Sequence, residues 1–191
     1  MRRDSPAYVE LVCRSCFSFL EGASHPEELV DQAVALGLGG LALTDQGGVY
    51  GVVRAHLRLR ELVREGRVNP DRFRFLVGAR LGVASMPPLV LIAQDRRGYG
   101  NLCALISRGQ QRGEKGSCTL EVEDMAPFKD QLIALALDTG VRGEEVGLLR
   151  EIYGAHLFLG ISRQHHPAAE RRLRRLITVG SAQGIPTVAV G

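Results

Sequence analysis

Two of the four cysteines, Cys13 and Cys16, form a C-x-x-C pair, the spacing of a redox dithiol or of half a zinc site. A redox pair of this kind sits at a helix start, whereas here the pair follows an apolar run that reads as a strand. A zinc site needs a second ligand pair, and Cys103 and Cys118 have no close partner in sequence. All four therefore read as free, buried or half-buried thiols. Asp45 stands where an apolar run gives way to Gln46-Gly47-Gly48. It could be a metal ligand at a strand end, but a turn or cap acceptor is the commoner use of Asp there. His25 lies in a helix-capping stretch and reads as solvent-facing. His56 falls among helix arginines, and His165-His166 before Pro167 reads as loop and cap rather than a chelating pair. Arg54, Arg58, Arg171, Arg172, Arg174 and Arg175 could contact phosphates. Glu61, Glu65 and Glu170 interleave with them, which favours solvated helix faces, and no aromatic interleaving suggests a single-strand platform.

The elements that would position these residues alternate. Strands are expected over 8–13, 40–44, 73–83, 89–93, 131–137, 157–161 and 186–190. Helices are expected over 49–65, 99–111, 144–153 and 167–183, and one more after Ser24-His25-Pro26-Glu27. That last stretch has the spacing of a capping box, with Ser24 as the cap and Glu27 reaching back to it. Gly37 and Gly66 supply helix stops. A break is expected in the third strand at Gly78 or Gly82. Strands separated by helices imply βα units and a mainly parallel sheet. Seven strands without a dinucleotide glycine fingerprint favour a barrel over a Rossmann sheet.

Composition sets the bounds. The chain has 191 residues, 45% hydrophobic and 24% charged, with a net charge of +3. Those are the values of one globular domain and exclude disorder, collagen and coiled coil. No apolar run approaches the ~18–20 residues of a membrane helix, and the start, Met1-Arg2-Arg3-Asp4-Ser5-Pro6, does not have the long apolar stretch of a signal peptide. A cytoplasmic protein is expected. All basic residues but Lys115 and Lys129 are arginines, and the mild charge is not that of an autonomous DNA binder. The last strand has no helix after it, which reads as a chain cut from a longer protein.

The residues from Tyr8 to Leu29, above all Phe17-Ser18-Phe19-Leu20 running into Gly22-Ala23-Ser24-His25-Pro26-Glu27-Glu28-Leu29, resemble the opening of the PHP domain of bacterial C-family DNA polymerases. Within that family the error-prone type is most similar. Leu41-Ala42-Leu43-Thr44-Asp45 with Tyr50-Gly51-Val52-Val53-Arg54-Ala55-His56 resembles the second motif. The stretches 88–103 and 185–191 follow in the family's order. The resemblance implies an α/β protein with a distorted (β/α)7 PHP barrel, TIM-like and incomplete at its C-terminus. It would be one domain over 1–191, cut before the last loops.

In active members, His, Asp and Glu at the strand ends hold two or three metals that hydrolyse phosphoesters. This chain departs from the pattern. Val12 and Arg14 stand at the histidines of His-x-His, Gln46 at the histidine of the second motif, and Arg80 at an expected glutamate. Asp45 alone remains, and arginine cannot deprotonate to bind metal. The resemblance therefore implies vestigial positions Val12, Arg14, Asp45, Gln46 and Arg80, with no catalytic, cofactor-binding or metal residues in this segment. Mg2+ is expected only in the polymerase domain of a parent protein. Expected partners are DNA through that parent, the remaining polymerase domains, a sliding clamp and accessory mutasome proteins, and no membrane. The expected function is a non-catalytic domain of an error-prone DNA polymerase in damage-tolerant synthesis. The alternatives are a metal-dependent phosphoesterase or 3′–5′ exonuclease, and a free-standing binding module. At the mouth, Arg14 or Arg80 is expected to pair with Asp45 in place of metal charge; the alternative is that both point to solvent.

Overall fold

The computed structural model describes residues 8–112, 117–137, 142–162 and 167–191, with the side chains of Pro167 and Ala168 left out. His165 and His166 lie outside the described residues. One sheet carries all the strands: β1 (Val9–Cys13), β2 (Gly40–Gln46), β3 (Arg74–Val83), β4 (Met86–Ala93), β5 (Thr119–Leu120), β6 (Leu132–Leu137), β7 (Leu157–Ile161) and β8 (Thr187–Ala189). Their order is β1-β2-β3-β4-β6-β7-β8, with β5 paired to β3. The main helices are α1 (Pro26–Ala35), α2 (Val52–Arg64), α3 (Arg96–Arg112), α4 (Val122–Met125), α5 (Gly143–Tyr153) and α6 (Pro167–Gln183). No described helix is long and apolar enough to cross a membrane.

The hydrophobic pattern sorts into layers. Ala42, Val90, Ile92 and Leu135, with Leu11, Val12, Leu76 and Phe158 against them, come only from strands and fill the inner face of the curled sheet. Residues of opposite phase pack outward under helices. Leu41 and Leu43 meet Val30, Ala33, Ala55 and Leu62 of α1 and α2. Leu89, Leu91, Ala134 and Leu157 meet Leu102, Leu105, Val146 and Leu176 of α3, α5 and α6. Burying alternate sides of each strand is what a barrel wrapped in helices requires. Curling brings the Gly191 N–H, beyond β8, to 3.4 Å from Glu10 Oε1 of β1. Among the described residues, β1 and β8 do not pair with each other through a backbone ladder. The architecture is an α/β sheet curled into an incomplete barrel.

The sheet is mainly parallel, as expected, with one reversal: β4 runs antiparallel to both β3 and β6. Only Ala84 and Ser85 separate β3 from β4, too few for the crossover a parallel pair needs. Ser85 takes φ 63° at the turn. The expected capping box is displaced by one residue. Pro26 occupies the first helical position, where its fixed φ and missing N–H are tolerated, so His25 becomes the cap. The His25 N–H then donates to Glu28 Oε2 at 2.7 Å. The expected stops hold: Gly37 and Gly66 take φ 68° and 70°, and the following Leu38 and Arg67 N–H groups reach back to Ala33 and Leu62.

Candidate functional site

The five positions singled out lie on β1, β2, β3 and the loop after β1. Val12 is half-buried and packs with the inner apolar layer. Gln46 and Arg80 are register partners across β2 and β3. Asp45 is 1% exposed and is held by the loop that follows β1. The Ser15 N–H donates to Oδ1 at 2.7 Å, the Ser15 hydroxyl to Oδ2 at 2.8 Å, and the Ser18 hydroxyl to Oδ1 at 2.7 Å. Each serine oxygen accepts in turn, from the Phe17 N–H at 3.3 Å and from the Gln46 N–H at 3.0 Å. A Cβ built on Gly51 would sit 3.1 Å from Asp45 Oδ2, so the carboxylate is walled in on that side as well.

The expected Arg–Asp45 pair does not form, and both arginines pair elsewhere. Arg14 and Arg80 both donate to Glu21 Oε2, Arg80 at 2.9 Å. The loop is the cause. The Ser18 N–H bonds to the Ser15 carbonyl, and the Glu21 and Gly22 N–H groups bond to the Ser18 carbonyl. These turns fold the chain back on itself, and a Cβ on Gly22 would meet the Ser15 carbonyl oxygen at 2.1 Å. Glu21 is thereby returned to the arginines, while the serines at the loop's start reach Asp45 first. Neutral hydroxyl and amide donors suffice for a buried carboxylate that accepts several of them.

Other candidates fall where their chemistry is spent locally. His56 is exposed on α2. The α2 arginines pair with carboxylates, Arg54 with Glu27 at 2.6 Å and Arg58 with Asp31 and Glu61 at 2.9 and 3.1 Å. Burial acts to raise the Glu27 carboxyl, but the Arg54 guanidinium outweighs it and holds the group below its usual range. The four α6 arginines are exposed, and Glu170 lies 3.4 Å from Arg174. All four cysteines are free and half-buried, as expected. Burial and the neighbouring Glu10 carboxylate push the Tyr8 hydroxyl up to about 12.

Three features were not read from the sequence: the Ser15–Ser18 grip on Asp45, the role of Glu21, and Asp124. Asp124 is 3% exposed. It accepts from Arg108 at 2.6 Å, from Arg112 at 3.0 Å and from the Glu121 N–H at 2.9 Å, which ties α3 to α4.

The donor set at these five positions does not fit a multinuclear metal centre. It comprises a valine, two guanidinium groups, an amide and one carboxylate already filled by three donors. Among the described residues, no three His, Cys, Asp or Glu side chains come together as a metal would need.

The profile described as "PHP domain" matches residues 10–185. The chain is 40% identical to the error-prone DNA polymerase of Anaeromyxobacter dehalogenans (strain 2CP-C) over 95% of its own length, and 37% identical to that of Pseudomonas paraeruginosa over 97%. It spans only 16% and 17% of those relatives. Among solved structures, an amidohydrolase from Chromobacterium violaceum, with bound sulfate and no metal, superimposes with a TM-score of 0.66 at 15% identity, covering 97% of this chain and 87% of that one. The lesion-specific endonuclease of Pyrococcus furiosus superimposes at 0.53 and 12% identity over 96% of this chain and 47% of that one. These two likenesses show a shared fold.

Proposed function

The chain belongs to the PHP domain family, and from that premise we propose that it is the metal-free, non-catalytic PHP domain of an error-prone DNA polymerase. The observation that carries this reading is the closed grip of Ser15 and Ser18 on Asp45. In a hydrolytic site, carboxylates and imidazoles are left open to cations that generate hydroxide and clamp the reacting phosphate. Here the one remaining carboxylate is occupied by the protein's own donors, and Arg14 and Arg80 put positive charge where ligands would stand. The strand ends are held by these bonds instead of by ions. The domain then serves as a scaffold for the parent, whose DNA synthesis would rest on Mg2+ and carboxylates in its own polymerase domain. The same reading supplies DNA, the remaining polymerase domains, a sliding clamp and mutasome proteins as partners, the cytoplasm as location, and DNA repair replication as setting.

The test has two arms. The purified chain is assayed for metal content and for manganese-stimulated hydrolysis of a phosphodiester and of a primer 3′ end. The expected result is neither; hydrolysis that vanishes in Asp45→Ala overturns the non-catalytic reading. In the second arm the chain replaces the matching segment of the Anaeromyxobacter polymerase. Template-directed primer extension is expected from the chimera, and its loss in a soluble, folded chimera counts against the scaffold role.

A further inference from the structure

The four thiols occupy unequal surroundings. Cys16 Sγ lies 3.3 Å from His25 Nδ1, and backbone bonds fix both ends of that contact. The Cys16 N–H donates to the Ser24 carbonyl at 2.8 Å, directly before His25, and the His25 N–H is held by Glu28 at 2.7 Å. Glu27 of α1 stands near the imidazole, with Arg54 of α2 bound to that carboxylate. Cys13, three residues earlier, faces the α1–α2 layer. Burial, with the Glu10 and Asp45 carboxylates, pushes its thiol up to about 11. Burial also raises Cys118, whose sulfur lies 3.7 Å from the Ile106 carbonyl. Cys103 has the Tyr99 hydroxyl as its neighbour, with no imidazole or cation among the described contacts.

We propose that Cys16, with His25 as its base, is the oxidisable thiol of this chain and takes hydroperoxides as its substrate class. A thiol beside an imidazole can pass its proton to the ring and leave a nucleophilic sulfur. The sulfur attacks one peroxide oxygen, an S–O bond forms and the O–O bond breaks. The departing hydroxide takes the proton from the imidazolium and leaves as water. Sulfur is oxidised by two electrons to the sulfenic acid, and the peroxide is reduced by the same two. The product sits on the loop that carries Ser15 and Ser18, one residue from the grip on Asp45. The proposal rests on the Cys16–His25 contact and does not depend on the polymerase reading.

The reduced chain is treated with hydrogen peroxide, sulfenic acid is trapped with dimedone, and adducts are mapped by mass spectrometry over time. Cys16 is expected to label about tenfold or more faster than Cys13, Cys103 or Cys118. His25→Asn keeps a good helix cap and is expected to slow Cys16 to the rate of Cys103, with circular dichroism reporting the fold. Should that variant melt early, His25→Gln is read the same way. Equal labelling of Cys16 and Cys103, or unchanged Cys16 labelling in a folded His25 variant, overturns the proposal.

Discussion

Asp45→Ala removes the acceptor for three hydrogen bonds in a site that is 1% exposed. A hydrogen bond to a charged group contributes about 1.5–3 kcal/mol, so three of them set a gross loss well above that. Two corrections reduce it. The buried carboxylate has no cation bound to it, so its deletion relieves a desolvation cost. The serine hydroxyls can also turn elsewhere, while the Ser15 N–H cannot. A net destabilisation of about 3 kcal/mol is expected. Asp45→Asn keeps an acceptor oxygen for the Ser15 N–H, and a hydroxyl can turn to accept from the amide, so about 1 kcal/mol is expected. Urea unfolding of both variants, with Ser15→Ala and Ser18→Ala to complete double-mutant cycles, gives the numbers. Coupling of about 0.5–3 kcal/mol between Asp45 and each serine is expected, unchanged by a chelator. An Asp45→Ala variant as stable as the parent chain would refute the reasoning. So would a wild-type melting temperature raised by manganese or zinc through Asp45, because ligand linkage would then stand where the serines are placed.

The Asp124 carboxyl is pushed up by burial, but its bonds to the Glu121 N–H, Arg108 and Arg112 overcome this and hold it below its usual value. Because the folded group titrates lower than the unfolded one, its stabilisation is present above the unfolded value and is lost as pH falls through the folded one. Asp124→Asn should cost about 2 kcal/mol at pH 7, less than a fully buried pair because both arginines are solvated, and the difference in urea midpoint from the parent chain should close as the medium is acidified. Leu20 is 90% exposed with φ 62°, so Leu20→Gly should stabilise by about 0.5–1 kcal/mol, since it removes left-handed strain and sacrifices no burial. A thermal melt reads it, and a lowered melting temperature counts against it.

Much of the architecture follows from pattern. Leu41 and Leu43 alternating with Ala42, and Leu102, Leu105 and Ile106 at helical spacing, required only local periodicity, and the structure places them accordingly. The direction of β4 was not readable from periodicity, because an apolar run looks the same in either sense; the two-residue gap at Ala84-Ser85 was the relevant signal. The capping register failed because two overlapping Ser/His–Glu spacings compete, and Pro26 decides between them. At the strand ends, the loss of ligand types at Val12, Arg14, Gln46 and Arg80 was plain from residue chemistry. Which carboxylate the arginines would take was not, since Glu21 comes within reach only after the loop turns back at Gly22. Long-range partners such as Ser15 and Asp45 are set by loop geometry that no spacing rule encodes.

The reversed strand bears on the order in which the sheet assembles. In the parallel pairings, Val9 meets Gly40 and Gly40 meets Arg74, so each must close about thirty residues of chain. Val83 meets Met86 across a turn of two residues. Loop-closure entropy makes the long pairings about 2 kcal/mol more costly at their first contact, and hairpins close in about 1–10 μs. The β3–β4 hairpin is thus the pairing the unfolded chain reaches most cheaply, and its two outer edges are the ones that β2 and β6 later occupy. A single short turn, placed mid-chain, gives an otherwise slow parallel topology a template from which to grow in both directions.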